Sequence, residues 1–200
     1  MVPLSYQTHR GQGGICNQVL IALGGNLKGQ KDSPLGQIEA AIELIIEAGL
    51  DVSQRSRMYR TPSFPLGSGP EFVNAALECV SDLPPAEIMA RLHKVEAWAG
   101  RTRRQRWEPR VLDLDLLAVG EWVLPDETRF RHWANLTLDD QMKAAPSELI
   151  VPHPRLHERA FVLVPLMDIA PDWRHPVLGR TVAQMHAAID PADLDAIHPL

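Results

Sequence analysis

The sequence Val111-Leu-Asp-Leu-Asp-Leu-Leu-Ala-Val119 predicts a β-strand that is apolar except for two aspartates. Side chains two residues apart on a strand point to the same face of the sheet and lie about 6.6 to 6.8 Å apart. The leucines at alternate positions are therefore expected to face helices, and the aspartates to stand together on the opposite face. These residues are Leu112, Leu114 and Leu116 on the first face and Asp113 and Asp115 on the second.

Five further elements precede this strand. Ser33 and Pro34 predict the start of a helix, and Gly49 predicts its end. Pro84-Pro85 and Gly100 bound a second helix in the same way. Strands are predicted where short apolar or alternating runs occur. In chain order the elements are a strand over 18–23, a helix ending at 49, a weak polar strand over 51–59, a strand over 72–80 and a helix ending at 100.

The order strand, helix, strand, strand, helix, strand predicts an α+β fold with a ferredoxin-like βαββαβ core. Both helices are expected on one face of an antiparallel sheet, which leaves the second face free for a ligand. Residues 1–17 are interpreted as a flexible tail, and 18–200 as a single domain with an insertion at about 125–146. A short helix near 138–145 and extra C-terminal helices over 159–169 and 182–189 complete the prediction.

Composition and charge exclude several classes of protein. The 200 residues carry 25 acidic and 20 basic side chains, a net charge of −5 with neutral histidines. This balance disfavours a mainly electrostatic binder of nucleic acid or membranes. Two cysteines, Cys16 and Cys79, cannot form a disulfide framework, which fits a reducing cytoplasm. The sequence shows neither an apolar run of roughly 18 residues nor the apolar region of a signal peptide, so a cytoplasmic protein is expected.

The aspartate pair is a candidate metal site. Two like charges at this spacing repel each other, so a cation is expected between them. Hard carboxylate oxygens suit Mg²⁺, which usually takes one or two carboxylates and leaves its other positions to water and substrate phosphates. The alternative is that Asp113 and Asp115 face water or pair with arginines.

The loop directly before this strand, residues 101–110, contains five arginines. Guanidinium groups match phosphate oxygens and stay charged near neutral pH. A solvated loop or an RNA-contacting patch would have the same composition, but the adjacent carboxylates favour a metal-bound polyphosphate. His153 and Arg159 are further candidate phosphate contacts. Phe72 and Asn74 share one face of their strand, and an aromatic ring beside an amide hints at a planar heterocyclic ligand.

Seven motifs in this order resemble the 6-hydroxymethyl-7,8-dihydropterin pyrophosphokinases of folate biosynthesis. The resemblance runs from about residue 18 to 190. The matching stretches are Ala22-Leu-Gly-Gly-Asn-Leu27, Tyr59-Arg-Thr-Pro62, Phe72-Val-Asn-Ala-Ala76, Glu96 through Gly100-Arg101, Arg106-Trp107-Glu-Pro-Arg110, Leu112-Asp-Leu-Asp115, and Val151-Pro-His153 with Arg159-Ala-Phe161.

The resemblance implies transfer of pyrophosphate from ATP to the hydroxymethyl oxygen of the pterin, with release of AMP. It implies that Asp113 and Asp115 hold two Mg²⁺ ions, and it places a further set of residues at the nucleotide and the pterin. The expected nucleotide contacts are Glu96, Arg101, Arg110, His153 and Arg159, of which Arg101 and Arg110 are also expected to act in catalysis with the aspartates. The expected pterin contacts are Thr61, Pro62, Phe72, Asn74, Trp107 and Phe161.

Pro154 and His157 depart from the family pattern, in which some members have a tyrosine and a lysine that contact the phosphates. A monomer with small-molecule substrates, and with neither nucleic acid nor membrane as partner, is expected. The alternative function is a ferredoxin-like module that binds single-stranded RNA through the arginine-rich loop. A catalytically silent relative of the enzymes would share most of the same residues.

Overall fold

The computed structural model describes residues 16–63, 69–100 and 110–200. These residues form a mixed structure of helices and one antiparallel sheet. The strands are β1 (Asn17–Gly25), β2 (Asp51–Arg55), β3 (Tyr59–Thr61), β4 (Phe72–Ser81), β5 (Asp113–Val119) and β6 (His198–Pro199). The α-helices are α1 (Pro34–Glu47), α2 (Pro85–Trp98), α3 (Glu127–Ala134), α4 (Leu138–Lys143), α5 (Ala160–Ile169), α6 (Val182–His186) and α7 (Pro191–Asp195), with a 3₁₀ turn at Leu156–Glu158.

The sheet has the strand order β5-β1-β4-β3-β6, and β2 pairs with β4 beside β3. The predicted strand over 51–59 is therefore two strands. They are separated at Ser56, whose backbone N–H donates to the Ala76 carbonyl and whose hydroxyl accepts the Ala76 N–H, both at 2.9 Å. The polar pattern of this stretch did not reveal the break, because the break depends on hydrogen bonds to a strand twenty residues away.

The two predicted helices of the core are confirmed. The Ser33 hydroxyl accepts the Gly36 N–H at the start of α1, and Gly49 beyond its end has a positive φ of 85°. The apolar sides of α1 and α2 pack with alternate strand residues in one core. Its buried members include Ile38, Ile42 and Ile45 of α1, Ile88, Leu92 and Val95 of α2, Ala75, Leu77 and Cys79 of β4, and Leu112, Leu114 and Leu116 at β5.

The second face of the sheet is not free along its whole length, so this part of the prediction was wrong. A second apolar cluster covers one end of that face, where α5 packs on the strands and α6 packs against α5. Leu20, Ala76, Leu117 and Ala118 of the sheet lie beneath Val162, Leu163 and Leu166 of α5 and Val182 and Met185 of α6. Only the end of the face with Asp113 and Asn74 remains for polar chemistry.

The region beyond β5 contains more helix than the sequence pattern predicted. The predicted helices near 138–145, 159–169 and 182–189 correspond to α4, α5 and α6. The helix α3 was not predicted, because its sequence is polar except for a few residues. Asp126 caps α3 by accepting the Arg129 N–H, and the fully buried Phe130 anchors the helix. No helix in the described ranges is long and apolar enough to cross a bilayer.

Candidate active site at one end of the sheet

The strand register brings polar residues from three strands to one end of the sheet. Gly24 of β1 pairs with Asn74 of β4 on one side and with Asp113 of β5 on the other. Ala22 is likewise paired with Asp115. Neighbouring strands are about 4.8 Å apart, so Asn74 and Asp113 stand about 10 Å apart across a floor formed by a glycine. The result is a shallow trough between an amide and two carboxylates.

Both aspartates project from β5 on the predicted face, and each is paired with an arginine. Arg110 contacts Asp113 through Nη1 and Oδ2. Arg159 Nη1 lies 3.6 Å from Asp115 Oδ2. The carboxylate side chains are 22% and 31% exposed, respectively, so both remain accessible from solvent. The structure therefore shows an arginine at each of the two carboxylates that a bound cation would use.

Asn26 holds the backbone on which Arg110 stands. Its Oδ1 accepts the Arg110 N–H at 2.7 Å, and its own N–H donates to the Arg110 carbonyl at 2.8 Å. Its Nδ2 donates to the Pro70 carbonyl at 3.0 Å. One buried side chain thus joins the end of β1 to the segments before β4 and β5. No role was predicted for Asn26, although it belongs to the Ala22–Leu27 motif; its position directly after two glycines was the available signal.

Asn74 and Thr61 form the amide side of the trough. Asn74 Nδ2 donates to Thr61 Oγ1 at 2.7 Å, and both residues are buried. Asn74 Oδ1 lies over Gly24, where a Cβ atom would approach it to 2.6 Å. Glycine is therefore required at position 24 for the amide to take this position. Phe72 is paired with Thr61 across the strands and is half-buried, and Pro62 follows β3 directly.

Arg159 and Phe161 enter the site from the N-terminal end of α5. The Arg159 guanidinium carbon lies 5.5 Å from the centre of the Phe161 ring, a cation–π distance. Phe161 is 38% exposed, although an aromatic side chain of this kind is normally buried. The exposed ring is available to a ligand at this edge of the site.

His153 is held in a neutral form close to the aspartates. Its backbone N–H donates to the Leu117 carbonyl of β5 at 2.8 Å, and its Nδ1 accepts the Arg155 N–H at 3.1 Å. Burial lowers the pKa of His153 to about 3, with the positive charge of Arg159 adding to the effect and Asp113 opposing it. Since Nδ1 is an acceptor, the proton of the neutral ring is on Nε2.

Glu96 lies on the helix side of β5. Only 2% of the residue is exposed, and its Oε1 accepts the Leu114 N–H at 2.8 Å. In the structure this carboxylate joins α2 to the strand that carries both aspartates. Its predicted place beside the nucleotide remains a prediction, and the observed contact gives it a positioning role that sequence reasoning missed.

Arg155 ties the 125–146 region to the segment that carries His153 and Arg159. Its guanidinium group donates to the carbonyls of Ala134 and Leu136, at 3.0 and 2.8 Å, and pairs with Glu158 at 2.9 Å. The residue is 6% exposed, and burial lowers its pKa. No role was predicted for Arg155. Its position between two candidate phosphate contacts was the only signal.

Two predicted site residues, Arg101 and Trp107, lie outside the residues that the structure describes. The described residues bring together Asp113, Asp115, Arg110, Arg159 and His153 on one side. Asn74, Thr61 and Phe72 lie on the other side, across Gly24.

The donor set fits Mg²⁺. The described ranges contain no cluster of three or more His, Cys, Asp or Glu side chains that could hold a metal ion, so two carboxylates are what this part of the chain offers. Mg²⁺ is commonly bound by one or two carboxylates, with water and substrate phosphates as its other ligands. Metals that need a closed set of nitrogen or sulfur ligands do not fit this arrangement.

Carboxylates that can hold Mg²⁺ beside guanidinium groups that can hold phosphate are typical of enzymes that transfer phosphoryl groups. Comparison with known families agrees with this class. The chain belongs to the 7,8-dihydro-6-hydroxymethylpterin-pyrophosphokinase (HPPK) family, whose sequence model matches residues 20–171.

Two similar proteins are named 2-amino-4-hydroxy-6-hydroxymethyldihydropteridine pyrophosphokinase. The one from Synechocystis is 34% identical over 185 residues, which are 92% of this chain and 81% of the relative. The one from Pseudomonas aeruginosa is 35% identical over 174 residues, which are 86% and 91% of the two chains. These names do not support the RNA-binding alternative.

The fold is similar to the crystal structure of Plasmodium falciparum HPPK-DHPS, with a TM-score of 0.60 at 12% identity. The match covers 88% of this chain and 45% of that longer chain. At this identity the similarity supports the fold alone.

Proposed function

We propose that this protein transfers the pyrophosphoryl group of ATP to 6-hydroxymethyl-7,8-dihydropterin in folate biosynthesis and releases AMP. The proposal depends above all on one observation. The aspartates and their arginine partners occupy the same end of the same sheet face as the Asn74–Thr61 pair. A polyphosphate and a flat polar heterocycle can therefore bind side by side, on opposite sides of Gly24.

In the proposed reaction the hydroxymethyl oxygen forms a bond to the β-phosphorus of ATP. The bond between this phosphorus and the oxygen that bridges to the α-phosphate breaks, AMP leaves with that oxygen, and the hydroxyl proton passes to solvent. Such a reaction needs alignment of three groups and neutralisation of negative charge more than it needs covalent catalysis.

Asp113 and Asp115 are the residues that would hold Mg²⁺, with two ions as the family resemblance implies. When bound, the metal neutralises phosphate charge and orients the triphosphate. The partly exposed carboxylates leave room for phosphate and water among the metal ligands. Glu96 supports this arrangement by fixing Leu114, the residue between them, to α2.

Arg110 and Arg159 are positioned to contact the phosphates, together with the predicted Arg101. Neutral His153 can donate a hydrogen bond from Nε2 to a phosphate oxygen. Because the pKa of His153 is lowered to about 3, this donor keeps the same protonation state across the physiological range.

Asn74 and Thr61 are proposed to recognise the polar edge of the pterin, and Phe72 and Phe161 to stack on its two faces. Pro62 and Trp107 complete the predicted pterin contacts. Base-like rings stack well on aromatic side chains. A buried amide selects among heterocycles because a ring without the matching polar groups leaves the amide with an unpaired donor or acceptor.

The ferredoxin-like arrangement of the core, a single domain over 18–200, a monomeric state and a cytoplasmic location are parts of the same proposal. The strand order supports the first of these, because β5, β1, β4 and the β2–β3 pair follow the order that the βαββαβ prediction requires.

The decisive experiment measures AMP formation with ATP, Mg²⁺ and hydroxymethyldihydropterin, and with each omitted in turn. AMP is expected only when all three are present. Asp113→Ala is expected to abolish most of the turnover in a folded protein, while Asp82→Ala, which changes an exposed aspartate outside the site, keeps it. Pterin-independent AMP formation, or equal turnover in both variants, would contradict the proposal.

A further inference from the structure

The residues proposed to bind metal and those proposed to bind phosphate are bound to each other in the structure. Arg110 forms an ion pair with Asp113, and Arg159 forms an ion pair with Asp115. The carboxylates belong to β5, whereas Arg110 precedes that strand and Arg159 precedes α5. Each pair thus joins one expected metal ligand to one expected phosphate ligand, and the pattern occurs twice.

A guanidinium group and a metal ion compete for the same carboxylate oxygens. A divalent cation that approaches Asp113 or Asp115 meets a positive charge already in place, and like charges at such distances repel. Both pairs are partly shielded from water, so this repulsion is stronger than between fully solvated groups. Metal binding therefore requires each arginine to move or to give up part of its contact.

A triphosphate offers each arginine a better partner. Guanidinium groups bind phosphate oxygens through paired, charge-assisted hydrogen bonds. Among the described residues, Asn26 holds Arg110 through its backbone and Arg159 lies over the exposed Phe161 ring, so neither of these contacts fixes a guanidinium group rigidly. Their long side chains can turn from carboxylate to phosphate while the backbone stays in place.

We propose that Arg110 and Arg159 are exchange residues, which hold the two aspartates in the empty enzyme and pass from carboxylate to phosphate when nucleotide binds. This inference rests on the proposed function, because it takes a nucleotide triphosphate as the ligand that draws the arginines away. In the empty protein the arginines neutralise the paired aspartates and block Mg²⁺. In the loaded protein they neutralise phosphate, and the freed carboxylates bind the metal.

The exchange makes the binding of metal and nucleotide cooperative. Nucleotide removes the arginines that compete with Mg²⁺, and by thermodynamic linkage Mg²⁺ strengthens nucleotide binding by the same factor. The wild-type protein is therefore expected to bind Mg²⁺ weakly alone and at least about tenfold more tightly with nucleotide.

Titration calorimetry of Mg²⁺ tests this exchange without any turnover. The titration is made on the protein alone, and on the protein saturated with an ATP analogue that carries a methylene group in place of the α–β bridging oxygen. Arg110→Gln and Arg159→Gln remove each competing charge. Arg60→Gln is the control, because Arg60 is an exposed arginine paired with Glu71 and its replacement changes the net charge equally.

Arg110→Gln and Arg159→Gln are each expected to bind Mg²⁺ alone about tenfold more tightly than the wild type and to bind the Mg²⁺–analogue complex more weakly. The gain in affinity for Mg²⁺ alone identifies the exchange, since a loss of folding would weaken both affinities and the loss of a simple phosphate contact would weaken only the binding of the complex. Arg60→Gln is expected to change neither affinity by more than about twofold.

Two results would contradict different parts of the reasoning. If the analogue binds the wild-type protein but neither arginine variant gains affinity for Mg²⁺ alone, the exchange is wrong while the proposed function stands. If the analogue does not bind the wild-type protein with Mg²⁺ at all, the nucleotide-dependent function is wrong, and the exchange falls with it.

Discussion

Leu114 and Asp115 are neighbours on β5 but belong to opposite sides of the molecule. Leu114 is 1% exposed in the core with α1 and α2, whereas Asp115 pairs with Arg159 at the open end of the other face. The helix face is apolar where α1 and α2 pack on it. The other face is divided: α5 and α6 cover one end, and the other end keeps carboxylates, an amide and arginines.

This contrast assigns stability mainly to the helix face and chemistry to the uncovered end of the opposite face. It also explains why Glu96 and Asn26 are buried. Each side chain crosses from a supporting element to the backbone of a segment with a site residue, Glu96 to Leu114 and Asn26 to Arg110. The site is positioned by buried polar contacts to the backbone beneath it.

The largest expected effect separates activity from stability. Asp115→Ala should lower the turnover for AMP formation by about a thousandfold, because a metal ligand contributes several kcal/mol to the transition state. Its free energy of unfolding should change by less than about 1 kcal/mol, since the carboxylate is partly solvated. Urea denaturation beside the AMP assay measures both quantities. A fully active variant would show that Asp115 does not hold a metal ion that the reaction needs.

The reverse pattern is expected for the neighbouring leucine. Leu114→Ala should lower the free energy of unfolding by about 3 kcal/mol, because it leaves a cavity in the core under α2. Leu35→Ala, at an exposed position of α1, should cost less than about 1 kcal/mol. At a temperature where both variants are folded, both should keep near-normal turnover. Equal stability of the two variants would show that the helix face is not the main source of stability.

A loss of stability at low pH is expected from His175, which lies between α5 and α6 in the chain, on the side of the sheet opposite α1 and α2. Burial lowers the pKa of His175 from 6.5 to about 4, with His157 and Arg180 adding to the effect. Below about pH 6.5 the unfolded chain takes up a proton that the folded protein does not, so stability falls until the pH reaches about 4. The loss from this residue between pH 7 and 5 should be about 2 kcal/mol.

His175→Asn tests this assignment. The amide oxygen can accept the N–H groups of Val177 and Leu178, which bind Nδ1 in the structure, and asparagine does not titrate. Urea denaturation at about pH 7 and pH 5 should show a smaller loss in this variant than in the wild type, by about 2 kcal/mol. An identical loss would place the acid sensitivity in other groups, of which His153 and His157 also have lowered pKa values.

The smallest expected effect concerns the floor of the trough. In Gly24→Ala the new Cβ atom would lie 2.6 Å from Asn74 Oδ1, so the amide must move. The KM for the pterin should rise about tenfold, or about 1.4 kcal/mol, while kcat changes little. Gly36→Ala on α1 is the control, since its Cβ atom would come no closer than 3.4 Å to Ser33 Oγ. An unchanged KM for Gly24→Ala would show that the position of the Asn74 amide does not matter for pterin recognition.

The sequence pattern predicted what depends on neighbours along the chain. The alternation in β4 and β5 assigned each strand residue to its face, and Ala75, Leu77, Leu112 and Leu114 are in the helix-side core as expected. The capping residue Ser33 located the start of α1, and Pro84-Pro85 located the start of α2, which has no side-chain cap. Ser56 marks the limit of this method, because the break between β2 and β3 comes from its hydrogen bonds to a distant strand.

The site was predicted as a set of residue types, and the structure added their partners. Asp113, Asp115, Arg110 and Arg159 were all predicted, but the pairing of each aspartate with one arginine was only one of two interpretations. Asn26, Glu96 and Arg155 act through backbone groups far away in the chain, and no local pattern shows which backbone groups they reach. Arg101 and Trp107 stay predictions.

The amino-acid order alone determined the strands and helices of the core, the face on which the aspartates stand and the family to which the chain is related, because these follow from short-range periodicity and ordered motifs. Only the tertiary structure decided which end of that face stays open and which cation meets which carboxylate. Those outcomes depend on how α5 and α6 pack and on the approach of Arg159 to Asp115 from a distant part of the chain, whereas Arg110 and Asp113 are only three residues apart.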